Sequence, residues 1–505
     1  MTDHCAIDRD QAEIETLLAK KTNEAFSSAK AIYNNGGNSK SYARVTLTPA
    51  LAGPLAKGTR ITGRSTDGIE IAGMAYNSYD AGTKEIFVQY ATTIIQSSYV
   101  GCQVGSLVES INTEGCFAAE GDFDISGTQY AYVYNMGADN KNGRTIAGFS
   151  TEAGDKMGLN CPGCPYTDFA YFEKYYGADD YAHQWVTAAF AGESTSFDNG
   201  NADFSQYGFD GRVEAVKKGT VYLNIFMYVI REFEDALDDC KRGCMDCNDD
   251  PVHAWDEGVC FYTGSIEGKD GLTPDGKLLH QLADKRCADF RTCGLEGGEL
   301  DGTAKLNYEL FDLFSLGNFQ LQTGNCPAAR KTTKLVTELM YIPMIQGTLR
   351  YAYKVGVLNE GEKSQAEGAA FAAAVLPRIH AANQVAAKTI YDNMKVGASN
   401  TDHMAVKRAF ESVYADLGIT CADIGGLWNS ATSSYYDGYE PCSDASTGGV
   451  IKEEDTTLAV IFGATFGGLF GLALLALCFM RNKEKRGQPV FSPTMAEEDK
   501  PTELH

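Results

Sequence analysis

His253, Asp256 and Glu257 fall within five positions of PVHAWDEGVCFYTGSIEG (251–268), the stretch whose residue types come nearest to a ligand set. On a helix, positions three and four apart share a face. His253 then points the same way as Asp256 and Glu257, while Trp255 and Val259 turn toward a core. An imidazole beside two carboxylates suits iron, zinc or manganese better than soft metals. The bland alternative is a helix start: Asp250 caps, Pro251 takes the first helical position, and acids favour the first turn.

A second group lies in the helical pattern 219–239, where Tyr228, Glu232 and Asp235 recur at i, i+4 and i+7 and Arg231, Glu234 and Asp238 form the neighbouring face. Packed against 253–263, this helix would line a cavity with Tyr228, Glu232, His253, Asp256 and Glu257. Phenolate, carboxylate and imidazole together suit ferric iron, Fe(3+), a hard cation that prefers oxygen ligands. Arg231 or Arg350 could hold a bridging anion bidentately. Against this stands the reading of the tyrosines as core aromatics and the acids as a solvated face. Charges inside a bundle are costly unless paired or metal-bound. His183, beside Trp185 as His253 is beside Trp255, is a secondary candidate; His380 and His403 read as surface or packing residues. No Gly-rich phosphate loop precedes a helix, and no Ser/His/Asp or Cys/His grouping is legible.

The elements that must position these residues are mostly helical. Apolar residues recur at helical spacing over 8–33, 86–100, 180–192, 212–239, 253–263, 272–295, 328–357, 360–396 and 402–417. Residues 38–75, rich in Gly, Thr and Ser, read as irregular, and 114–151 as a hairpin or ordered loop lying on the bundle. KGTVYLNIFMYVIREFEDAL matches KTTKLVTELMYIPMIQGTLR at an offset of 113, aligning Tyr228 with Tyr341. At the same offset HAWDEGVCFYTG falls on AEGAAFAAAVLP, so His253 and its acids occur in one copy only. The expected fold class is therefore mainly α: a helical-bundle ectodomain of duplicated helical hairpins, with a minor irregular or β insert, plus one C-terminal transmembrane helix. The expected segments are 1–110, an N-terminal helical part; 111–440, the main helical domain; 441–456, a stalk; 457–480, the transmembrane helix; and 481–505, a cytoplasmic tail.

That topology follows from charge. Thr457 to Met480 carries no charge over 24 residues and at ~1.5 Å per residue can cross the ~30 Å hydrocarbon layer. Arg481, Lys483, Lys485 and Arg486 follow it, and Glu453, Glu454 and Asp455 precede it, which places the C-terminus inside and the bulk outside. Gly463, Gly467 and Gly471 form a small-residue stripe that could pair two copies. Of 15 cysteines, all but Cys478 lie before this span, an even count that fits disulfides in an oxidising compartment. Cys161-x2-Cys164 and Cys240-x3-Cys244-x2-Cys247 have spacings that zinc or iron–sulfur sites also use, but disulfides are expected here. The first 40 residues hold no apolar run, so the sequence shows no signal peptide. The net charge of −24 argues against nucleic acid or an anionic membrane surface as partner.

RTIAGFST (144–151), NCPGCPY (160–166), YYGADDYAHQWVTAAF (175–190), the 218–237 string and PVHAWDEGVCFYTGSIEG together resemble the algal iron-assimilation domain family, including the diatom phytotransferrins. The resemblance covers most of 80–430. It implies a ferric iron-binding receptor, not an enzyme, for high-affinity iron uptake. Carbonate would be its synergistic anion, and metal would be released at low pH after endocytosis. It implies a plasma-membrane site, later endosomal, with a ferrireductase and the endocytic machinery as partners. The family is also similar to imelysin-type bundles, marked by Gly-x-His-x-x-Glu; here Val252 precedes His253 and Asp256 takes the acid position. A metal-dependent imelysin-like hydrolase and a structural cell-surface protein are the alternatives.

Overall fold

The computed structural model describes residues 2–37, 42–90, 102, 115–141, 144–154, 166–243, 251–267, 275–398 and 400–443. The 457–480 span, the 481–505 tail and all of the 441–456 stalk beyond residue 443 lie outside these residues. Among the described residues no helix is long and apolar enough to cross a membrane.

The largest departure from the pattern expected of the sequence is a closed antiparallel β-barrel. Six strands run in the order β4 (Glu85–Tyr90), β3 (Glu70–Ala75), β2 (Arg60–Arg64), β5 (Glu120–Ile125), β6 (Thr128–Val133) and β1 (Tyr42–Thr48). Pairing of β1 with β4, Val45 opposite Ile86, closes the ring. A two-residue strand, β7 (Asn140–Lys141), adds to the edge of β1. The described residues are thus 57% helical with a barrel beside the helices, not a mainly α protein with a minor β insert. Residues 38–75, read as irregular, supply three barrel strands, and the described part of 86–100 is strand rather than helix.

The period-2 alternation that builds the barrel is visible in β1, where Ala43, Val45 and Leu47 are buried and Arg44, Thr46 and Thr48 exposed. Aromatic rings fill the interior: Phe123 stacks on Tyr132 at 3.8 Å between centroids, and Phe117 meets Phe123 edge-on at 5.1 Å. Gly63 and Gly73 make room for them. A Cβ on Gly63 would lie 2.7 Å from Phe123, and one on Gly73 3.2 Å from Phe117.

Two pairs of long helices make up much of the helical part. Phe209–Gly219, a π-helical turn Thr220–Ile225 and Phe226–Arg242 run on as one helix, which packs against Pro251–Thr263. Cys326–Gly356 packs against Glu362–Ala382 in the same way. Two glycines permit close approach around Pro251–Thr263. A Cβ on Gly258 would sit 2.7 Å from Phe233, and one on Gly317 2.1 Å from Trp255. Trp255 is fully buried and its indole N–H donates to the Phe314 carbonyl at 2.9 Å.

Five disulfides are present among the described residues: Cys5–Cys260, Cys102–Cys116, Cys240–Cys326, Cys287–Cys293 and Cys421–Cys442. Cys240 is therefore taken by Cys326, while Cys161, Cys164, Cys244 and Cys247 lie outside the described residues. Cys5–Cys260 links positions 255 apart and fastens the short N-terminal helix Thr2–Cys5 to Pro251–Thr263.

Candidate functional site

Glu257 is the centre of a buried charged cluster. It is 1% exposed, on the face of Pro251–Thr263 that meets Phe226–Arg242. One carboxylate oxygen lies 2.8 Å from His4 Nδ1 and 3.2 Å from His253 Nε2, within ion-pair distance of both. The other accepts from Arg144 Nη2 at 2.9 Å. His253 and Glu257 meet because they are four apart on one helix face. His4 arrives through the adjacent Cys5–Cys260 bond, and Arg144 from the segment just before the short helix Gly148–Thr151.

The facing helix adds a second set. Arg231 joins Glu232 at 2.8 Å to Asp235 at 2.9 Å, and Asp235 accepts from the Tyr166 hydroxyl at 2.7 Å. Tyr228 is fully buried, stacked on Phe149 at 4.1 Å, with the Arg231 guanidinium 5.4 Å from its ring centre. The π-helical turn immediately before this segment shifts the phase of the helix, and such turns gather at functional sites.

The two carboxyls are tuned in opposite directions. Burial pushes Glu257 up, but Arg144, His253 and His4 together outweigh it and hold the group well below its ordinary value. Burial raises Glu232, and the nearby Glu257 charge raises it further against the opposing arginines. Burial also drives the Tyr228 phenol well above its ordinary range, partly countered by Arg144 and Arg231. For Arg144, burial works against the charge, but Tyr228, Glu257 and Glu232 more than restore it.

The structure thus brings together His253, Glu257, Tyr228, Arg231 and Glu232, with His4 and Arg144 as members that spacing did not reveal. Asp256, one residue round the helix, accepts from Asn318 at 2.9 Å on Lys305–Gln322. Arg350 pairs with Asp289 at 3.0 Å and lies over the Tyr351 ring. His183 contacts the Tyr33 hydroxyl at 3.1 Å; His380 packs on Tyr175 and His403 stacks on Tyr439. A further buried histidine, His280, lies 3.7 Å from Glu267 and 3.8 Å from Asp284. Among the described residues, no group of three or more His, Cys, Asp and Glu side chains is arranged to hold a metal ion. In the Glu257 cluster these groups bond to one another instead.

The internal repeat offers a control within the chain. Tyr228 aligns with Tyr341, equally buried, but Arg231 aligns with Met344, Glu232 with Ile345, His253 with Ala366 and Glu257 with Ala370. All four counterparts are buried and apolar. The scaffold therefore does not need charge at these positions, and burying charge is expensive. No family model, curated protein or solved structure matches the chain.

Proposed function

We propose that the Glu257 cluster captures ferric iron as cargo, with carbonate held beside it by Arg144 or Arg231, in a protein that binds and delivers iron rather than transforming a substrate. The observation that carries this reading is the set of buried charges confined to one copy of the repeat. Two carboxylates, a phenol and two imidazoles are the donors a hard cation takes, and an arginine beside them suits a small oxyanion. The disulfides fit an oxidising compartment such as the cell exterior. Metal entry requires Tyr228 to lose its proton and His4 and His253 to turn from Glu257, and protons compete with metal for phenolate and imidazole donors. Iron affinity should therefore fall steeply from about pH 8 to 5.

Iron titration of the purified protein with and without bicarbonate tests this. The expected result is saturable binding, strengthened by bicarbonate, with a tyrosinate-to-iron absorption band that Tyr228→Phe abolishes and His253→Ala weakens. Binding that keeps its band in Tyr228→Phe, or that is flat with pH, would sink the assignment.

A further inference from the structure

Tyr341, which aligns with Tyr228 at the offset of 113, lines a cleft. A cleft of about 270 Å³ opens where the N-terminus of Thr167–Tyr176 meets Phe226–Arg242, Cys326–Gly356 and Glu362–Ala382. Tyr341 and Thr337, four apart on one helix face, line it; they are 2% and 3% exposed, and neither hydroxyl has a hydrogen-bond partner among the described residues. Leaving two buried hydroxyls unsatisfied is costly in a core, and each is a donor available to a ligand.

The charges around the cleft decide which ligand. Glu234 spends its carboxylate on the backbone N–H groups of Asp168, at 2.9 Å, and Phe169, at 3.3 Å. Lys334 and Glu338 neutralise each other at the rim. Arg378 holds Asp168 only loosely, at 4.0 Å, and lies over the Tyr171 ring. Arg330 lines the mouth without a carboxylate at ion-pair distance among the described residues. Asp168 also lines the cleft and offsets part of the Arg378 charge, and Arg378 Nη2 donates to the Asp416 carbonyl at 3.4 Å. What remains is two hydroxyl donors, Arg330, and the donors of Arg378 that these contacts leave over, a set that recognises an oxyanion through fork-shaped hydrogen bonding. The volume is below the roughly 300–1,000 Å³ of pockets for drug-sized ligands, yet well above one inorganic ion.

We infer that this cleft binds a small carboxylate-bearing organic anion, held by Tyr341, Thr337, Arg378 and Arg330, at a site separate from the Glu257 cluster. Calorimetric titration of the purified protein with acetate, succinate, citrate and inorganic phosphate tests the inference. At least one carboxylate should bind saturably and more tightly than phosphate. Tyr341→Phe and Arg378→Gln should each weaken it about tenfold or more, because each removes a hydrogen bond to a charged ligand. Tyr341→Phe should fold normally, since its hydroxyl supports nothing in the described protein, and should leave iron binding unchanged. Phosphate binding more tightly than every carboxylate would overturn the organic assignment. Absence of saturable binding, or affinities within twofold of wild type in both variants, would overturn the site.

Discussion

Replacing Glu257 by Gln keeps the shape of the side chain and removes the one charge that Arg144, His4 and His253 share. Deleting one partner of a buried ion pair costs about 3–5 kcal/mol, because the other charge stays behind uncompensated. The Arg144 side chain is 26% exposed, so water answers part of the loss, and about 2–4 kcal/mol is the expected destabilisation. Against a total stability of roughly 5–15 kcal/mol that is readily measured as a shift in urea midpoint at unchanged slope. If the loss arises from the stranded guanidinium, Arg144→Met should relieve it. The double variant should then be more stable than the sum of the single effects by about 1–2 kcal/mol. The pH dependence has a definite sign. The folded-state value of Glu257 is depressed, so its contribution is complete at neutral pH and is lost as pH falls below its ordinary 4.5. The gap between wild type and Glu257→Gln should be level from about pH 6 to 8 and narrow in acid. A loss under about 1 kcal/mol, strict additivity with Arg144→Met, or parallel acid limbs would refute the view of Glu257 as the paired centre of the cluster.

Glu234 has the opposite sign. Burial, with Asp168 nearby, raises it from 4.5 to about 8, so wild-type stability should decline as pH rises through that window, by at most about 5 kcal/mol. Glu234→Gln should flatten the decline in chemical denaturation at a series of pH values. Cys5→Ser, measured without reductant, should lower stability by roughly 5–6 kcal/mol on the loop-entropy model, since the bond closes a separation of 255. It should also weaken iron binding, because His4 is held at Glu257 through that link; an unchanged titration would show that His4 has no part in the site. Gly258→Ala should destabilise by about 1–3 kcal/mol, as the new Cβ meets Phe233 at 2.7 Å, and should disturb the tyrosinate–iron band by moving the helix that carries His253 and Glu257.

What could be foreseen from the sequence divides along physical lines. Most of the long helices were legible from apolar residues at helical spacing, but Lys305–Gln322 was not foreseen and 360–396 divides into Glu362–Ala382 and Gln384–Met394. The barrel was not, because its glycines look like loop signals. Gly63 is a strand position kept bare for the Phe123 ring, and Gly73 one kept bare chiefly for Val88 and the Gln89 carbonyl of the neighbouring strand. In EIFVQY the buried Ile86, Val88 and Tyr90 alternate, but Phe87 between them blurs a period of two into an apolar run. Within the site, the His253–Glu257 contact was legible because one helix makes it. Spacing could not separate Asp256 from Glu257, since both lie within a turn of His253; the neighbour across the interface, Asn318, makes the distinction. His4 and Arg144 depend on contacts between distant segments, and neither disulfide pairing nor such contacts can be read from spacing.

The sequence match between 218–237 and 331–350 bears on more than the fold. Two helices of common pattern each keep a buried tyrosine, Tyr228 and Tyr341. Around the first, one copy gathers arginines, carboxylates and histidines where the other packs Met344, Ile345, Ala366 and Ala370. Around the second, the charges are a different set, Arg330, Lys334 and Glu338 from its own helix with Arg378 and Asp168 from neighbouring ones. Packing alone would favour the apolar solution at both places, because charge in a core weakens it. The divergence of one scaffold into two differently charged surroundings for the same phenol therefore points to two ligands rather than to one duplicated site.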